Sequence, residues 1–257
     1  MGGVRVIVTR PLREAQRWVN DLRAAGVDAV ALPLIQIAPV DDVEPLRAAW
    51  RRIDAYAAVM SVSAAAVEEF FRHQRAEALQ PLPRWWATGP GTARALGQAG
   101  VPAASIDTPA HDAGRFDSEA LWAHVRAQVT PGARVLIVRG GDASGRPTGR
   151  DWLAQEVDAA GARRDTVVAY RRLAPGFAAN EQAIAAEGAS GRAIWLFSSS
   201  EAIANLQQAM PAANWHAARA VATHPRIAQA AADAGFGTVC LSQPLQASLV
   251  ASIESLA

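Results

Sequence analysis

Short clusters of hydroxyl-bearing and glycine residues follow apolar runs in this chain, and such clusters are suited to binding anions. The fullest is TGPGT at residues 88–92, which ends one apolar run and opens a helical pattern. A helix that begins there presents unpaired N–H groups and the positive end of its dipole to a carboxylate or phosphate. Gly89 and Gly91 would let the backbone approach a ligand closely, and the hydroxyl of Thr92 can donate. We therefore predict an anion site at Thr88, Gly89 and Thr92.

Similar residue types end five other apolar runs. These are TR (9–10), SVS (61–63), RGG (139–141), SSS (198–200) and TH (223–224). Taken singly, each is more often an ordinary helix cap than a ligand contact, because Ser and Thr are common N-cap residues. Their shared position after strand-like runs favours a common binding surface. The candidate binding residues in these clusters are Thr9, Arg10, Ser61, Ser63, Arg139, Ser198, Ser199, Ser200 and Thr223.

Few residues are suited to acid–base chemistry. The chain has no paired carboxylates at a recognisable spacing, no GxSxG elbow and no GxGxxG turn. Tyr170 ends a strand-like run, and its phenol can donate a proton. A tyrosine that bridges core and solvent is an equally good interpretation of the same residue. Tyr56 precedes a buried run, which indicates packing.

Composition narrows the class of protein. The chain has 257 residues, of which 51% are hydrophobic, yet no run reaches the roughly 18–20 apolar residues of a membrane helix. Its formal net charge is +1, so no basic face indicates nucleic-acid binding. The first residues lack the layout of a signal peptide. We expect a cytoplasmic protein with a small-molecule partner.

Missing residue types exclude several chemistries. All 25 basic residues are Arg, which excludes lysine Schiff bases, pyridoxal chemistry and the lysine of a Walker phosphate loop. The single cysteine, Cys240, excludes intramolecular disulfides and CxxC metal sites. The five histidines, which include His111, show no ligand spacing, so no metal site is expected.

Two kinds of repeated unit alternate along the chain. Residues 4–33 and 133–170 both have the pattern of a strand, a helix, an AAG stop and a second strand. Residues 57–100 and 194–235 both have the pattern of a strand, a serine cluster, a helix, then a further strand and helix. Strands that alternate with helices predict parallel sheets with crossover helices, whose ligands lie outside the carboxyl ends of the strands. Left-handed helix stops are predicted at Gly26, Gly100, Gly161 and Gly235.

The order of these units does not decide how they pair into domains. A simple split falls near residue 125, whereas a crossed arrangement joins the first unit to the last. Two proline-containing extended segments, residues 34–42 and 167–176, are candidates for the crossings in the second arrangement.

Together these residues resemble the uroporphyrinogen-III synthase family from about residue 4 to 253. The resemblance is carried by VIVTRP, AGVDAVALPLIQI, SVSAAAV, ATGPGTARAL, RGG…GRDWL, AYRR and FSSSEAIANL, in that order. It implies two flavodoxin-like α/β domains, each a parallel sheet flanked by helices, joined by a two-strand connector. The implied boundaries are 1–37 plus 173–257 for the terminal domain, 41–168 for the middle domain, and 38–40 with 169–172 for the connector.

The resemblance also implies a reaction. Linear hydroxymethylbilane loses water and closes, with inversion of its last pyrrole ring, to uroporphyrinogen III on the way to haem, and no metal or organic cofactor is needed. Tyr170 matches a tyrosine that the family's mechanism uses as proton donor. Arg139 and Arg150 match an RG…GR pattern of substrate-binding residues, although an extra DASGRPT lengthens that loop and leaves Arg146 as an alternative to Arg150. The turn THPRIA departs from the family at Arg226 and Ile227.

Two alternatives compete with this interpretation. A two-lobed binding protein for an anionic small molecule, without catalysis, would share the strand-end clusters. A nucleotide-sugar transferase would also have two lobes, but no acidic metal or ribose site stands at a strand end. We expect a monomer, because no heptad pattern or exposed edge strand indicates a partner.

Overall fold

The computed structural model describes residues 4–74, 83–109 and 116–257. The chain divides into two compact units, the first formed by residues 1–36 with 173–257 and the second by residues 37–172. Within the described ranges, no helix combines the length and the apolar character needed to cross a membrane.

Strands and helices alternate along nearly the whole chain. The strands are β1 (Arg5–Val8), β2 (Ala29–Ala31), β3 (Gln36–Pro39), β4 (Ala58–Ser61), β5 (Arg84–Ala87), β6 (Ile106–Asp107), β7 (Arg134–Gly141), β8 (Arg163–Leu173), β9 (Ala193–Phe197), β10 (Arg219–Ala222) and β11 (Thr238–Leu241). The helices are α1 (Leu12–Ala24), α2 (Glu44–Arg51), α3 (Ala64–Phe71), α4 (Pro90–Gln98), α5 (Ser118–Val125), α6 (Trp152–Ala159), α7 (Ala179–Ala189), α8 (Ser200–Ala209), α9 (Pro225–Asp233) and α10 (Gln246–Glu254).

The first unit contains a five-stranded sheet in the order β11-β10-β9-β1-β2. Every neighbouring pair in it is parallel. β1 lies beside β9, with Val8 opposite Leu196, so the first repeat of the chain shares a sheet with the last. Counted along the unit, the order is that of flavodoxin-like sheets. The predicted α/β class with parallel sheets is confirmed.

The second unit contains a six-stranded sheet in the order β3-β8-β7-β4-β5-β6. From β8 to β6 the neighbours are parallel, and the order is again flavodoxin-like once β7 is counted as the first strand. β3 and β8 are hydrogen-bonded neighbours in this sheet. Residues 38–40 and 169–172 cluster with the second unit, and their role as the connector between the two domains stays a prediction.

Helix formation follows the spacing of apolar residues. In α1 the buried residues Ala15, Val19 and Leu22 recur at intervals of three and four, which places them on one face against the sheet. The helix stops at Gly26, where φ is +84° and the N–H of Val27 reaches back to the carbonyl of Leu22 at 3.0 Å. The other three predicted stops also have left-handed glycines. Those predictions are confirmed.

Aromatic packing fixes the helix that carries part of the candidate site. In the second unit Trp50 of α2 stacks on Phe70 of α3 with ring centroids 4.5 Å apart, and its indole N–H donates to the Phe70 carbonyl at 2.7 Å. Each such buried side chain contributes roughly 1.5–3 kcal/mol through lost contact with water. The N-terminus of α3, which begins directly after Ser63, is held in place by this packing.

Candidate active site

The strand order in the sheet of the second unit reverses between β7 and β4, which makes this position a topological switch point. From β7 the chain continues to β8 on one side, and from β4 it continues to β5 and β6 on the other. Ligands of open parallel sheets bind outside the carboxyl ends of the strands at such a switch point. The residues that follow or end these strands are the predicted clusters SVS (61–63) and RGG (139–141).

Two hydroxyl groups meet at this edge. The Tyr170 hydroxyl lies 3.1 Å from Ser63 Oγ, and either group can donate to the other. Ser63 also caps α3, because its Oγ accepts a hydrogen bond from the Ala66 N–H at 3.1 Å. The structure thus brings together two residues that the sequence separates by more than 100 positions. Ser61, in contrast, is fully buried, and its hydroxyl has no partner among the described residues.

Gly140 makes this meeting possible, since Tyr170 is on β8 and Ser63 follows β4, with β7 between them. Tyr170 lies opposite Gly140 in the sheet register, beside an irregularity at Arg139 and Gly140. A Cβ built on Gly140 would lie 2.6 Å from Cζ and 2.7 Å from Cε2 of the Tyr170 ring. Real Cβ atoms do not approach so closely, so the ring crosses β7 over a position that must lack a side chain.

Arg172 completes the surroundings of the phenol. Its Nη2 donates to the Tyr170 hydroxyl at 3.2 Å, and its guanidinium carbon lies 5.7 Å from the centre of the ring. Tyr170 itself is 1% exposed and belongs to the hydrophobic core of the second unit. The phenol is therefore a buried donor with a cation beside it.

Of the three arginines predicted to bind substrate, Arg139 and Arg150 belong to the second unit, and both are held in ion pairs. Arg139 is 6% exposed at its side chain and pairs with Asp151, and its Nη2 also donates to the Arg150 carbonyl at 3.3 Å. Arg150 forms a two-pronged pair with Glu119, with one contact at 3.1 Å. This pair raises the pKa of Arg150, first through its hydrogen bond to Glu119. Arg139 thus holds the loop before α6 through Asp151 and the Arg150 carbonyl, and Arg150 links the same loop to Glu119 of α5.

The extra residues 142–148 form an ordered turn. Asp142 accepts hydrogen bonds from the N–H groups of Ser144 and Arg146, and its pKa is lowered chiefly by the hydrogen bond from the Ser144 hydroxyl. Pro147 forms an antiparallel bridge with Gly141. The insertion extends β7 as a small hairpin next to the switch point.

The TGPGT turn opens α4, as the sequence predicted. Gly89 is the N-cap residue, and no side chain caps the helix among the described residues. Its φ of −164° is extended backbone that any residue adopts, and an added Cβ would meet only ordinary contact with Phe116 at 3.7 Å. Neither the backbone conformation nor contacts within the protein therefore require glycine at position 89, and its close approach to a ligand stays a prediction. Thr92 is 6% exposed, whereas Thr88 is half-buried.

In the first unit the switch point lies between β1 and β9. Thr9 is buried, and its hydroxyl donates to the Leu196 carbonyl at 2.8 Å, which ties the two strands together. Arg10 lies over the Trp18 ring, with its guanidinium carbon 4.0 Å from the centre of the ring, and pairs with Glu14. Burial lowers the pKa of Arg10 while Glu14 opposes the shift. Both side chains have structural partners.

The serine and threonine clusters of the first unit stand at two helix starts. Ser199 is the N-cap residue of α8, and no side chain caps that helix in the described part of the chain. Ser198 is half-buried and Ser200 exposed. Thr223 donates its N–H to the Phe197 carbonyl at 3.1 Å. The next residue, His224, caps α9 by accepting from the Arg226 N–H at 3.1 Å.

Sequence reasoning misses three contributors to this arrangement. It treats Gly140 only as part of a cluster, does not consider Asp151, and uses Arg172 only to align Tyr170. One signal is available: residues two apart on a strand share a face, which places Arg172 beside Tyr170. No group of three or more His, Cys, Asp or Glu side chains suited to a metal occurs in the described ranges, and His111 lies outside them.

The fold places this chain among two-unit α/β proteins of known structure. A mutant uroporphyrinogen III synthase from Thermus thermophilus matches with a TM-score of 0.59 and 17% identity, over 99% of this chain and 98% of that one. Uroporphyrinogen-III synthetase from Helicobacter pylori matches with a TM-score of 0.59 and 13% identity, over 98% of this chain and 99% of that one. At such identities the likeness establishes the fold.

Membership of a family follows from the sequence itself. The family model for uroporphyrinogen-III synthase HemD matches residues 16–251, which is most of the chain. The chain belongs to the uroporphyrinogen-III synthase family, whose enzymes are cyclising lyases of tetrapyrrole biosynthesis. The resemblance inferred from the motifs is confirmed, and the alternative of a binding protein without catalysis is not supported.

Proposed function

We propose that this chain closes hydroxymethylbilane to uroporphyrinogen III, with Tyr170 and its neighbours at the β7–β4 switch point as the chemical centre. The observation that carries this assignment is the contact of 3.1 Å between the Tyr170 hydroxyl and Ser63 Oγ. It puts a proton donor at the edge of the sheet where ligands of this fold class bind.

The substrate is a flexible chain with many acetate and propionate groups. Helix starts that lack a side-chain cap leave backbone N–H groups for such carboxylates. In the described part of the chain, α4 begins this way at Gly89 and α8 at Ser199. We propose that these two starts, with the hydroxyls of Thr88 and Ser198, bind carboxylates of the substrate.

Orientation is the main task of the enzyme, because the substrate closes without help to the wrong isomer. Holding the reacting carbons of the first and last rings in contact converts a rare encounter into a frequent one. Departure of the hydroxyl group needs a proton, and a positioned general acid typically contributes about 10²–10⁴-fold in rate. We propose that Tyr170 is the source of this proton.

For Arg139 we propose a different role from the one suggested by the sequence. Its side chain is 6% exposed and paired with Asp151, so it acts by shaping the loop that follows β7. Arg150 is 37% exposed, so it stays a candidate for a direct contact with a substrate carboxylate.

Isomer analysis tests the proposed reaction. Freshly prepared hydroxymethylbilane is incubated with the purified protein, the products are oxidised, and type I and type III uroporphyrin are separated by chromatography. A dominant type III product, against type I in the enzyme-free control, supports the proposal. Type I alone, formed at the spontaneous rate, contradicts it.

The role of Tyr170 is tested by the Tyr170→Phe variant. Loss of the hydroxyl should lower turnover by about 10²-fold, as expected for a general acid, while most of the ring packing is kept. Thermal unfolding of the variant checks that the core is intact. Full turnover in Tyr170→Phe would refute the role of the phenol and leave the proposed reaction standing.

A further inference from the structure

We infer that Ser63 is the group that touches the departing hydroxyl of the substrate and that Tyr170 supplies its proton through Ser63. This inference rests on the proposed function and concerns the path of one proton. It makes Ser63 the catalytic residue in contact with substrate and Tyr170 a positioning residue that acts through it.

The two hydroxyls have one hydrogen to share between them. Ser63 Oγ accepts from the Ala66 N–H, and the Tyr170 oxygen accepts from Arg172 Nη2. Each oxygen therefore already accepts one N–H, and a single hydrogen lies between them in the 3.1 Å contact. Whichever hydroxyl donates within the pair, the other keeps one hydrogen that points elsewhere.

Burial decides which of the two hydroxyls donates in that contact. Tyr170 is 1% exposed, and among the described residues its hydroxyl has no polar contacts besides Ser63 and Arg172. If Ser63 donated, the phenol hydrogen would be left buried without an acceptor, which costs about 1–3 kcal/mol. If Tyr170 donates, the hydrogen left over belongs to Ser63, which is half-buried at the end of β4. The second arrangement is favoured, and it directs the Ser63 O–H outwards.

Access to the substrate also favours Ser63. The Tyr170 ring packs in the core of the second unit and crosses β7 over Gly140, and of the two residues that contact its hydroxyl, Ser63 is the one at the start of a helix. Ser63 is the N-cap residue of α3, and helix starts at carboxyl ends of parallel strands face the ligand in this class of fold. A proton that leaves Tyr170 therefore passes through Ser63.

The transfer balances as follows. The C–O bond of the substrate's hydroxymethyl group breaks, with the electron pair of the adjacent pyrrole forming the azafulvenium carbon. The departing oxygen takes the proton of Ser63 and leaves as water, and Ser63 takes the proton of Tyr170. The resulting phenolate lies 3.2 Å from Arg172 Nη2, which stabilises its charge. When the last ring loses a proton to restore its aromaticity, that proton returns along the same two hydroxyls.

Three variants of Ser63 separate the transfer from the helix cap. Ser63→Asn keeps a good N-cap but has no hydroxyl, and Ser63→Gly costs the helix only a few tenths of a kcal/mol. Both should lower kcat by about 10²-fold with little change in KM. Ser63→Thr keeps both the hydroxyl and the cap and should restore most of the rate. Single-turnover measurements ensure that the chemical step is observed, and thermal unfolding shows that each variant is folded.

Two further measurements distinguish a proton path from a structural role. Because Ser63 and Tyr170 act in series, Tyr170→Phe should cause no additional loss in the Ser63→Asn background, whereas independent effects would multiply to about 10⁴-fold. In mixtures of light and heavy water, the wild-type rate should be a quadratic rather than a linear function of the deuterium fraction, since two protons move together.

The outcomes separate this inference from the function on which it rests. Wild-type protein that forms type III product, with Ser63→Asn and Ser63→Gly at wild-type rate, overturns the proton path and leaves the synthase reaction intact. Multiplicative losses in the double variant overturn it as well. Wild-type protein that yields only type I product overturns both. Equal and non-additive losses, with rescue by Ser63→Thr, establish the path.

Discussion

Replacing Gly140 with alanine is a direct test of how the phenol is positioned. The new Cβ would lie 2.6 Å from Cζ, 2.7 Å from Cε2 and 2.9 Å from the hydroxyl oxygen of Tyr170. Carbon atoms in contact are separated by about 3.5–4.0 Å, so the end of the ring must move by about 1 Å. A shift away from α3 would lengthen the contact of 3.1 Å with Ser63 beyond the range of a hydrogen bond.

The expected loss of stability has two parts. Overpacking of a core typically costs about 1–3 kcal/mol, and the displaced phenol loses its acceptor. Against this, exchange of glycine for alanine stabilises by about 0.4–1 kcal/mol through the unfolded chain. We expect a net loss of about 2 kcal/mol, or a fall in Tm of about 4–8 °C. Turnover should fall by about 10²-fold, as in Tyr170→Phe, because the same proton transfer is interrupted.

Calorimetry and single-turnover kinetics measure these two effects, and two controls isolate the contact. Gly97→Ala adds the same methyl group where nothing lies within 4 Å. In a Tyr170→Leu background the shorter side chain leaves room, so Gly140→Ala should cost little further stability. An unchanged Tm and turnover in Gly140→Ala, or an equal loss of stability in the Tyr170→Leu background, would refute the close approach as the reason for this glycine.

Three further predictions concern stability. Burial and the hydrogen bond to Asp165 raise the pKa of Tyr56 to about 12. Because this folded pKa exceeds the unfolded value of about 10, the stability of the protein should fall as pH rises from about 10 to 12. The urea midpoint of the wild type should show this fall, and that of Tyr56→Phe should show a weaker one. The hydrogen bond from Tyr56 lowers the pKa of Asp165. The stability that this bond adds is therefore present above the unfolded pKa of about 4 and is lost as the pH falls below that value. Asp165→Asn should reduce this loss at low pH. Gly97→Ala, within α4, should by itself stabilise the protein by about 0.5–1 kcal/mol and leave turnover unchanged. Denaturant unfolding measures this gain, and a destabilised variant would contradict the open space at this position.

Much of the fold is encoded in local patterns that a reader of the sequence can recognise. The buried spacing of Ala15, Val19 and Leu22 predicts α1, and the glycine after it predicts its end, because few other residues adopt a left-handed backbone. How the repeats pair is not local. It depends on contacts such as Val8 with Leu196, which bring together parts of the chain that no periodicity connects.

The sequence predicted which residues follow the strands but not the partners of those residues. Hydroxyl-rich clusters were predicted at the carboxyl ends of strands, where parallel sheets bind ligands, and SVS (61–63) and SSS (198–200) do follow strands of the two sheets. Which hydroxyls were already engaged was not predictable: Thr9 ties β1 to β9, and Arg139 pairs with Asp151. Such contacts depend on side-chain directions within a few ångströms. The sequence orders residues along the chain and does not give those directions.

The repeats also show how the two units differ at equivalent helix starts. In the sheet registers Ser61 lies opposite Ala87 and Phe197 lies opposite Ala222, so Ser63 and Ser199, each two residues further on, occupy equivalent places at the start of α3 and α8. Ser63 has a phenol beside it, whereas both tyrosines of the chain belong to the second unit.

The neighbouring strand also differs between the two units. Val8 opposite Leu196 corresponds to Ile137 opposite Met60. β1 ends at Val8 and Pro11 is the N-cap residue of α1, whereas β7 continues to Gly141 and has Gly140 opposite Tyr170. The proposed tasks of the two equivalent serines therefore differ: Ser199 starts a helix whose N–H groups are suited to a carboxylate, and Ser63 starts one whose cap also passes on a proton.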